Sequence, residues 1–575
     1  MRVPDQRVIA TDGSGDGFRR GTAPPHRTDD RSRAETFCPD SLIVVSNRQP
    51  YRHEYDSGGG STDSSGDGSG TTPASGSSGE RSAASGSAES VALFEEAVEE
   101  FTVDEPTGGL TAGLDPVMRR ASGTWVAWGD GDADRAVTDD RGCVAVPPGE
   151  EAYTLRRVWL SDEDVDSYYY GFSNRVLWPL CHGFTDLVEI RPNDFERYYD
   201  VNRQFADAVA DHATADSVVW LQDYHLGFAS ALIRDRVPGA TIAQFWHVPW
   251  PTPETFAHFP RGRDLLEGLL GNDLLGFHTK RYADAFLRSV DRFVPDAAVD
   301  WNRGVVRYDG RETAVNFEPM GVDAAAFDRR ARETDGEWEE FREAHDVPRG
   351  CVIGLGVDRL DYTKGIPERL AAVERFFERN PGWREEFTFV QKATPSRTEI
   401  PTYERYGELV RSEVARINAR FATDGWRPIV YTEDVLPQSQ LGALYRRADV
   451  MIVSPLLDGM NLVAQEYVAS SVDGDGALLL SDRAGAHETL GSHAYSIDPP
   501  STDQVAAALE RALSTPLAER RRRMNVLRQR VFADDLDAWM ETQFRWLRRC
   551  HESSADGNRG AGDRSSDGVP ADEPR

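Results

Sequence analysis

Lysine is almost missing from this chain. Of its 65 Lys and Arg residues only Lys280, Lys364 and Lys392 are lysines. Arginine therefore serves wherever a generic cation is enough, and the survival of Lys364 suggests a role there that a compact ammonium fills better than a planar fork. Cysteine is scarce too. Cys38, Cys143, Cys181, Cys351 and Cys550 are scattered, odd in number and free of C-x-x-C pairing, which argues against a disulfide framework or a structural zinc and for a reducing compartment. No apolar run approaches the length of a membrane span, and the polar N-terminus carries no signal-peptide pattern, so a soluble cytoplasmic protein is expected. Positive charge is outnumbered, with 96 acidic against 65 basic residues and a net charge of -31. That balance disfavours nucleic acid or an anionic membrane as partner. A phosphorylated small molecule stays compatible, because a local pocket of cations acts inside a field that salt screens over short distances. Acid excess with so little lysine fits adaptation to high salt.

What is present suggests two domains. At 575 residues and 39% apolar content the chain exceeds one ordinary core. Residues 1–38 and 551–575 are Gly, Asp, Arg, Ser and Pro-rich and are expected to be disordered, and 56–90 reads as a Ser/Gly-rich surface loop. A helix over Val91–Phe101 should follow it. Leu42–Ser46, Ser217–Leu221, Thr241–Trp246 and Leu274–Phe277 read as buried strands of a domain spanning 39–322. Cys351–Val357, Phe387–Val390, Ile429–Tyr431, Val450–Val453 and Ala477–Leu480 read likewise for 323–535. Alternation with amphipathic stretches makes both halves doubly wound α/β units, joined near Glu318–Asp323, with ligands in the cleft between them. A helix over 536–550 is expected to cross back to the first domain.

Chemistry concentrates in Arg359-Leu360-Asp361-Tyr362-Thr363-Lys364-Gly365-Ile366-Pro367-Glu368-Arg369. Two cations five residues apart stand between a strand end and a helix start, with Pro367 suited to the first helical turn. Unpaired N–H groups and the positive dipole end of that helix add to the charges of Arg359 and Lys364, which together form a phosphate grip. A second strand-turn-helix run, Ser454 to Glu466, occupies the equivalent position downstream. There Asp458 and Glu466 are acceptors suited to sugar hydroxyls.

These two runs, together with Ser46-Asn47-Arg48, Gly108-Gly109-Leu110, Tyr168-Tyr169, Phe172-Ser173-Asn174, Leu177-Trp178-Pro179, Trp220 to His225 and His247 to Pro251, closely resemble the trehalose-6-phosphate synthase family. The likeness runs in order from about residue 41 to 547. Its members are retaining glucosyltransferases of family 20 with the GT-B fold, two Rossmann-like domains facing a cleft. The resemblance implies UDP-glucose as donor and glucose 6-phosphate as acceptor, no cofactor and no metal in the chemistry, a possible homo-oligomer and a separate phosphatase acting on the product. It implies that Arg359 and Lys364 bind the donor diphosphate, that Gly108 and Gly109 allow close backbone approach, that Leu462 and Val463 present N–H groups, that Glu466 holds the ribose and that Asp458 binds glucose hydroxyls with His247 lining the pocket. On the acceptor side it implies Arg48, Tyr169, Trp178 and Arg397 for the phosphate and Asp223 for hydroxyls. Catalysis would rest on Arg359, Lys364, Asp223 and His247. Leu457 and Gln465 depart from the family pattern, each standing where a cation is usual. Glycerol 3-phosphate as acceptor and a non-catalytic sugar-phosphate sensor remain open alternatives, and the nucleobase is undecided.

Overall fold

The computed structural model describes residues 41–55, 101–104, 109–259, 261–334 and 336–562. Ten strands form one sheet, in the order Ala298–Asp300, Val305–Tyr308, Arg311–Phe317, Leu274–Phe277, Thr241–Trp246, Val218–Gln222, Leu42–Ser46, Thr124–Trp128, Tyr153–Val158, Cys143–Val146. From Arg311–Phe317 to Tyr153–Val158 neighbours are parallel, and antiparallel strands close both edges. The apolar runs VVWLQ and TIAQFW are buried along their whole length, as expected for parallel strands covered by helices on both faces. The second sheet is wholly parallel, in the order Ile429–Thr432, Phe387–Thr394, Val352–Arg359, Val450–Val453, Ala477–Ser481, Tyr495–Ile497.

Strand order places the chemistry. In the first sheet Leu42–Ser46 lies between Val218–Gln222 and Thr124–Trp128; in the second, Val352–Arg359 lies between Phe387–Thr394 and Val450–Val453. Connections leave these central strands in opposite directions, so a crevice opens at their carboxyl ends. Arg48 follows the first of these ends, and Arg359 is the last residue of the second.

Two crossings join the lobes. The chain leaves the first sheet through Glu318 to Asp323 and enters helix Ala324–Glu333, whose Asp323 cap accepts the Ala326 N–H at 2.8 Å. It returns after helix Leu517–Ala533. The crossings touch at Gly321, where a Cβ would lie 2.2 Å from the Asp534 carbonyl oxygen, and the Leu536 N–H donates to Val322 at 3.1 Å. Gly321→Ala is expected to destabilise the protein by about 2 kcal/mol, the cost of overpacking against backbone that cannot yield. Thermal unfolding checks it, and an unchanged Tm would remove this contact from the account.

The returning helix spans Leu536–Gly562. Trp539 stacks on Trp220 with ring centroids 5.7 Å apart and meets Phe245 edge-on at 5.1 Å, so the helix packs on the first sheet. It continues past Cys550, where a disordered tail is expected. His551 shares a 2.9 Å hydrogen bond with Thr241, and Arg548 pairs with Glu552 one turn on at 2.8 Å, which fastens this stretch. The expected helix over Val91–Phe101 lies outside the described residues except for Phe101, which opens strand Phe101–Asp104 against Arg52–Tyr55. The 56–90 stretch and Gly108 also lie outside them. Among the described residues no helix is long and apolar enough to cross a membrane.

Candidate active site

A π-helical segment, Val165–Leu177, runs into the short helix Trp178–Cys181 and delivers two aromatic side chains to the mouth of the first sheet. Widened turns of this kind often serve functional sites because they re-aim side chains. Trp178 presents its ring to two guanidiniums of the other lobe, Arg397 at 4.0 Å and Arg359 at 5.9 Å from the centroid. Tyr169 stacks on His225 at 5.9 Å, with ring planes 13° apart. Burial alone would push its phenol up, yet Arg397, Arg48 and Arg359 bring it below the usual tyrosine range. Three cations from two lobes therefore face one hydroxyl.

Arg397 is the most constrained of them. Its backbone sits at φ 53°, a left-handed conformation unusual for a side-chain-bearing residue. Its guanidinium donates to Tyr403 at 2.6 Å and to Asp361 at 3.3 Å within its own lobe, and to Tyr224 across the cleft at 3.2 Å. Asp361 is fully buried, where burial favours the neutral acid, but Arg397, Arg359 and Lys364 hold its carboxyl below the ordinary value. Tyr224 in turn donates to Asn174 at 2.8 Å. The Arg397 Nε, Trp178 Nε1 and His225 Nε2 atoms are buried without a hydrogen-bond partner among the described residues. Such nitrogens are costly to bury unless a ligand fills the space between them.

Arg359 ends its strand, and Lys364 closes a single turn before Gly365. Gly365 adopts φ 62°, and a Cβ there would lie 2.3 Å from the Ser454 carbonyl oxygen, so only glycine starts helix Ile366–Arg379 at this place. Lys364 reaches Asp458 at 2.7 Å, both largely shielded from solvent. Burial pushes the Asp458 carboxyl up, but the Lys364 ammonium, His182 and Asn461 more than offset this and hold it down. Asn461 caps helix Leu462–Ser470, so Leu462 and Val463 occupy its first two positions. Glu466, one turn on, accepts the Tyr445 hydroxyl at 2.7 Å, and burial raises its carboxyl. Gly109 is the first residue of helix Gly109–Ala121.

Asp223 and His247 end adjacent parallel strands. Asp223 lies at φ 71°, ψ 178°, a strained conformation for a non-glycine residue, and its carboxylate accepts the His247 N–H at 3.2 Å rather than capping a helix. Burial pushes this carboxyl up to about 6, with the Tyr224 and His247 backbone N–H groups, Arg397 and Arg359 pulling the other way. Both ring nitrogens of His247 are engaged within the protein, Nδ1 with His278 at 3.3 Å and Nε2 with Gln222 at 3.0 Å. The Met320 N–H donates to His278 Nδ1 at 3.4 Å, which leaves His278 Nε2–H to donate onward and His247 Nε2–H to donate to Gln222. His247 therefore offers a ligand a ring edge and no free ring nitrogen, and burial keeps both imidazoles neutral. A Cβ on Gly459 would lie 2.0 Å from the His247 carbonyl oxygen, which brings the Asp458 turn against this strand end.

Arg48, Tyr169, Trp178, Arg359 and Arg397 thus gather around one point between the lobes. Asp223 and His247 are joined by a hydrogen bond and Lys364 and Asp458 by an ion pair, and Leu462, Val463 and Glu466 lie on the helix that follows Asp458. Among the described residues no contact ties Gly109 to this group, and Gly108 lies outside them. Sequence reading missed the second row: Asp361, Tyr403 and Tyr224 seat Arg397, Tyr445 holds Glu466, and His278 with Gln222 fix His247. Asp361, Tyr224 and Gln222 lie inside the quoted runs. Tyr403 and Tyr445 carry no local signal. Gln465, a departure from the pattern, donates to the Met320 carbonyl at 3.0 Å and so serves the lobe junction; Leu457 is half-buried beside Asp458. Asp130, Asp132 and Asp134 alternate in the chain, but Asp134 is buried against Arg157 at 2.9 Å, Asp130 accepts from Gln49, and Asp132 accepts the Tyr55 N–H. Their partners are the protein's own donors.

Two Rossmann-like domains whose switch points face each other, with cations for phosphate and acceptors for sugar between them, define a GT-B glycosyltransferase. The chain belongs to glycosyltransferase family 20, whose sequence profile matches residues 82–549. A trehalose-6-phosphate synthase of Mycolicibacterium vanbaalenii is 39% identical over 440 residues, 75% of this chain and 88% of that protein. The solved UDP-forming alpha,alpha-trehalose-phosphate synthase of Burkholderia xenovorans superposes with a TM-score of 0.73 at 31% identity, over 88% of this chain and 98% of that one. A structure of such a synthase from Burkholderia xenovorans in complex with glucose-6-phosphate gives 0.72 at 30%, over 88% and 100%. One from E. coli bound with UDP-2-fluoro glucose gives 0.72 at 29%, over 88% and 98%.

Proposed function

We propose that this enzyme makes trehalose 6-phosphate by moving glucose from UDP-glucose to glucose 6-phosphate with retention at the anomeric carbon. The observation that carries the reading is the cluster of Arg48, Arg359 and Arg397 around the Tyr169 hydroxyl and the Trp178 ring, with buried N–H groups left over for a dianion. Charge-assisted, forked hydrogen bonds are the strong way to hold a phosphate, and here they need both lobes together. The donor would lie over Arg359 and Lys364 with its ribose at Glu466, its diphosphate near the N–H groups of Leu462 and Val463 and of Gly108 and Gly109, and its glucose at Asp458 beside His247.

In the reaction the bond from the anomeric carbon to the diphosphate breaks and its electron pair leaves with the phosphate. The acceptor hydroxyl bonds to the same face, and its proton passes to the departing phosphate oxygen. Arg359 and Lys364 neutralise the growing charge, while Asp223 orients the acceptor by accepting from its hydroxyls. Positioning and electrostatic stabilisation carry the rate, and no residue need form a covalent intermediate. The product keeps a phosphate ester, which a separate phosphatase would remove.

The test is a matrix of nucleotide-glucose donors against glucose 6-phosphate and glycerol 3-phosphate, with product identification. Trehalose 6-phosphate formation supports the reading. Preference for glycerol 3-phosphate would reassign the acceptor, and donor binding without turnover would make the protein a sensor. The Asp223 carboxyl adds a pH test. It titrates near 6, so the accepting carboxylate is lost as pH falls through that value, and kcat at saturating substrates is expected to drop by up to about tenfold per unit below it. Asp223→Asn should remove this limb and lower the plateau. A limb that survives in the variant would belong to the acceptor phosphate, which titrates in the same range.

A further inference from the structure

Two of the three lysines are matched to carboxylates, Lys280 to Asp284 and Lys364 to Asp458, each at 2.7 Å. Lys392 is not. Its ammonium contacts the Thr394 hydroxyl, and no carboxylate of the described residues stands at ion-pair distance; Asp358, on the neighbouring strand, is taken by Arg369 at 2.6 Å. Lys392 is half-buried at the end of a strand that is otherwise buried from Phe387 to Gln391. A half-buried ammonium with donor hydrogens to spare is placed to donate to a ligand acceptor.

Its place in the sheet says which part of a ligand. Lys392 is in register with Val357 on one side and Thr432 on the other, and Thr394, its hydroxyl partner, is in register with Arg359. Because side chains alternate along a strand, Lys392 and Thr394 share the sheet face of Arg359. Lys392 therefore stands one strand away from the phosphate grip, on the side of Ile429–Thr432. The loop leaving that strand carries Asp434, whose N–H donates to Thr432 Oγ1 at 3.1 Å and whose carboxylate lies 3.5 Å from His345 Nε2, and Val435, 80% exposed and the most open of the large apolar side chains described. It leads into helix Gln438–Arg447, whose Tyr445 holds Glu466 at the expected ribose position. Past the expected diphosphate and ribose positions, this side of the sheet thus carries the Lys392 ammonium and, on the next loop, an exposed apolar side chain.

We propose that Lys392 reads the nucleobase of the sugar donor, its ammonium donating to a ring carbonyl, and so favours bases with a carbonyl beside a ring N–H, uracil or guanine, over adenine. The inference rests on the donor site assigned above. Adenine presents an exocyclic amine where those bases present oxygen, and cannot accept there.

Titration calorimetry of the full chain with UDP, GDP and ADP, without acceptor, tests this separately from turnover. Wild type is expected to bind at least one of UDP and GDP about tenfold or more tightly than ADP, the discrimination of one charge-assisted hydrogen bond. Lys392→Met should bring the nucleotides to within about threefold of each other by weakening the carbonyl-bearing base alone, and Lys392→Gln, a neutral donor of similar length, should keep part of the preference. Both variants are compared at matched Tm. Equal weakening of all three nucleotides would put the ammonium on phosphate and overturn the inference, as would no change. Wild type that binds none of them overturns the donor site itself.

Discussion

Lys364→Ala is expected to lower turnover by on the order of 100-fold or more with every nucleotide-glucose donor, by analogy with removal of a single donor from an oxyanion hole. The ammonium sits 2.7 Å from Asp458. On the proposed donor site this ammonium would meet the departing phosphate, and Asp458 would turn to the glucose hydroxyls. The loss should fall on kcat, because the charge it meets grows only as the glycosidic bond breaks. Lys364→Arg should rescue little. The lysine ends a single turn and precedes Gly365, which is packed against the Ser454 carbonyl, and a planar fork is a poor replacement for a point charge there. Release of nucleoside diphosphate, measured with product identification, is the readout. Full activity in the alanine variant would contradict the role given to this residue.

Arg397→Ala is expected to raise the KM for glucose 6-phosphate by about 100-fold while leaving the KM for the donor within about threefold, since a forked guanidinium on phosphate supplies two charge-assisted bonds. Discrimination between phosphorylated and plain glucose should shrink by the same factor. The variant also strands the buried Asp361 carboxylate, at a cost of about 3 kcal/mol or more, so Arg397→Lys is the companion. It keeps a charge beside Asp361 and should recover stability without recovering the phosphate preference. Equal losses for glucose and glucose 6-phosphate would mean that Arg397 merely holds the cleft closed through Tyr224.

How much of this was legible depends on whether a residue's neighbours lie close in the chain. The strand over Val352–Arg359 and the turn to helix Ile366–Arg379 can be read from apolar continuity, Gly365 and Pro367. Arg359, Lys364 and Asp458 announce themselves by local pattern, and the order of motifs identifies the family. The antiparallel edge strands, the π-helical delivery of Tyr169 and Trp178, and the pairing of Phe101 with a segment near Tyr55 have no comparable signal. The Phe101 strand pairs with residues tens of positions away, and the edge hairpins and π-helical turns, though local, carry no periodicity that sets them apart from ordinary strands and helices. His247 was expected to line the sugar pocket, but the groups that engage its ring, His278 and Gln222, reach it only through the sheet.

By itself the sequence determined that two parallel α/β domains form and that each offers cations or acceptors at strand ends, since periodicity, glycine placement and charge type are local properties of a chain. Only the tertiary structure decided that Arg397 stands over Trp178 and beside Tyr224 of the other lobe, that Lys364 pairs with Asp458, and that among the described residues no carboxylate pairs with Lys392. Those facts depend on which strands become neighbours and how two lobes approach. Contact across a cleft is set by the packing of the whole molecule, and no short stretch of residues contains it.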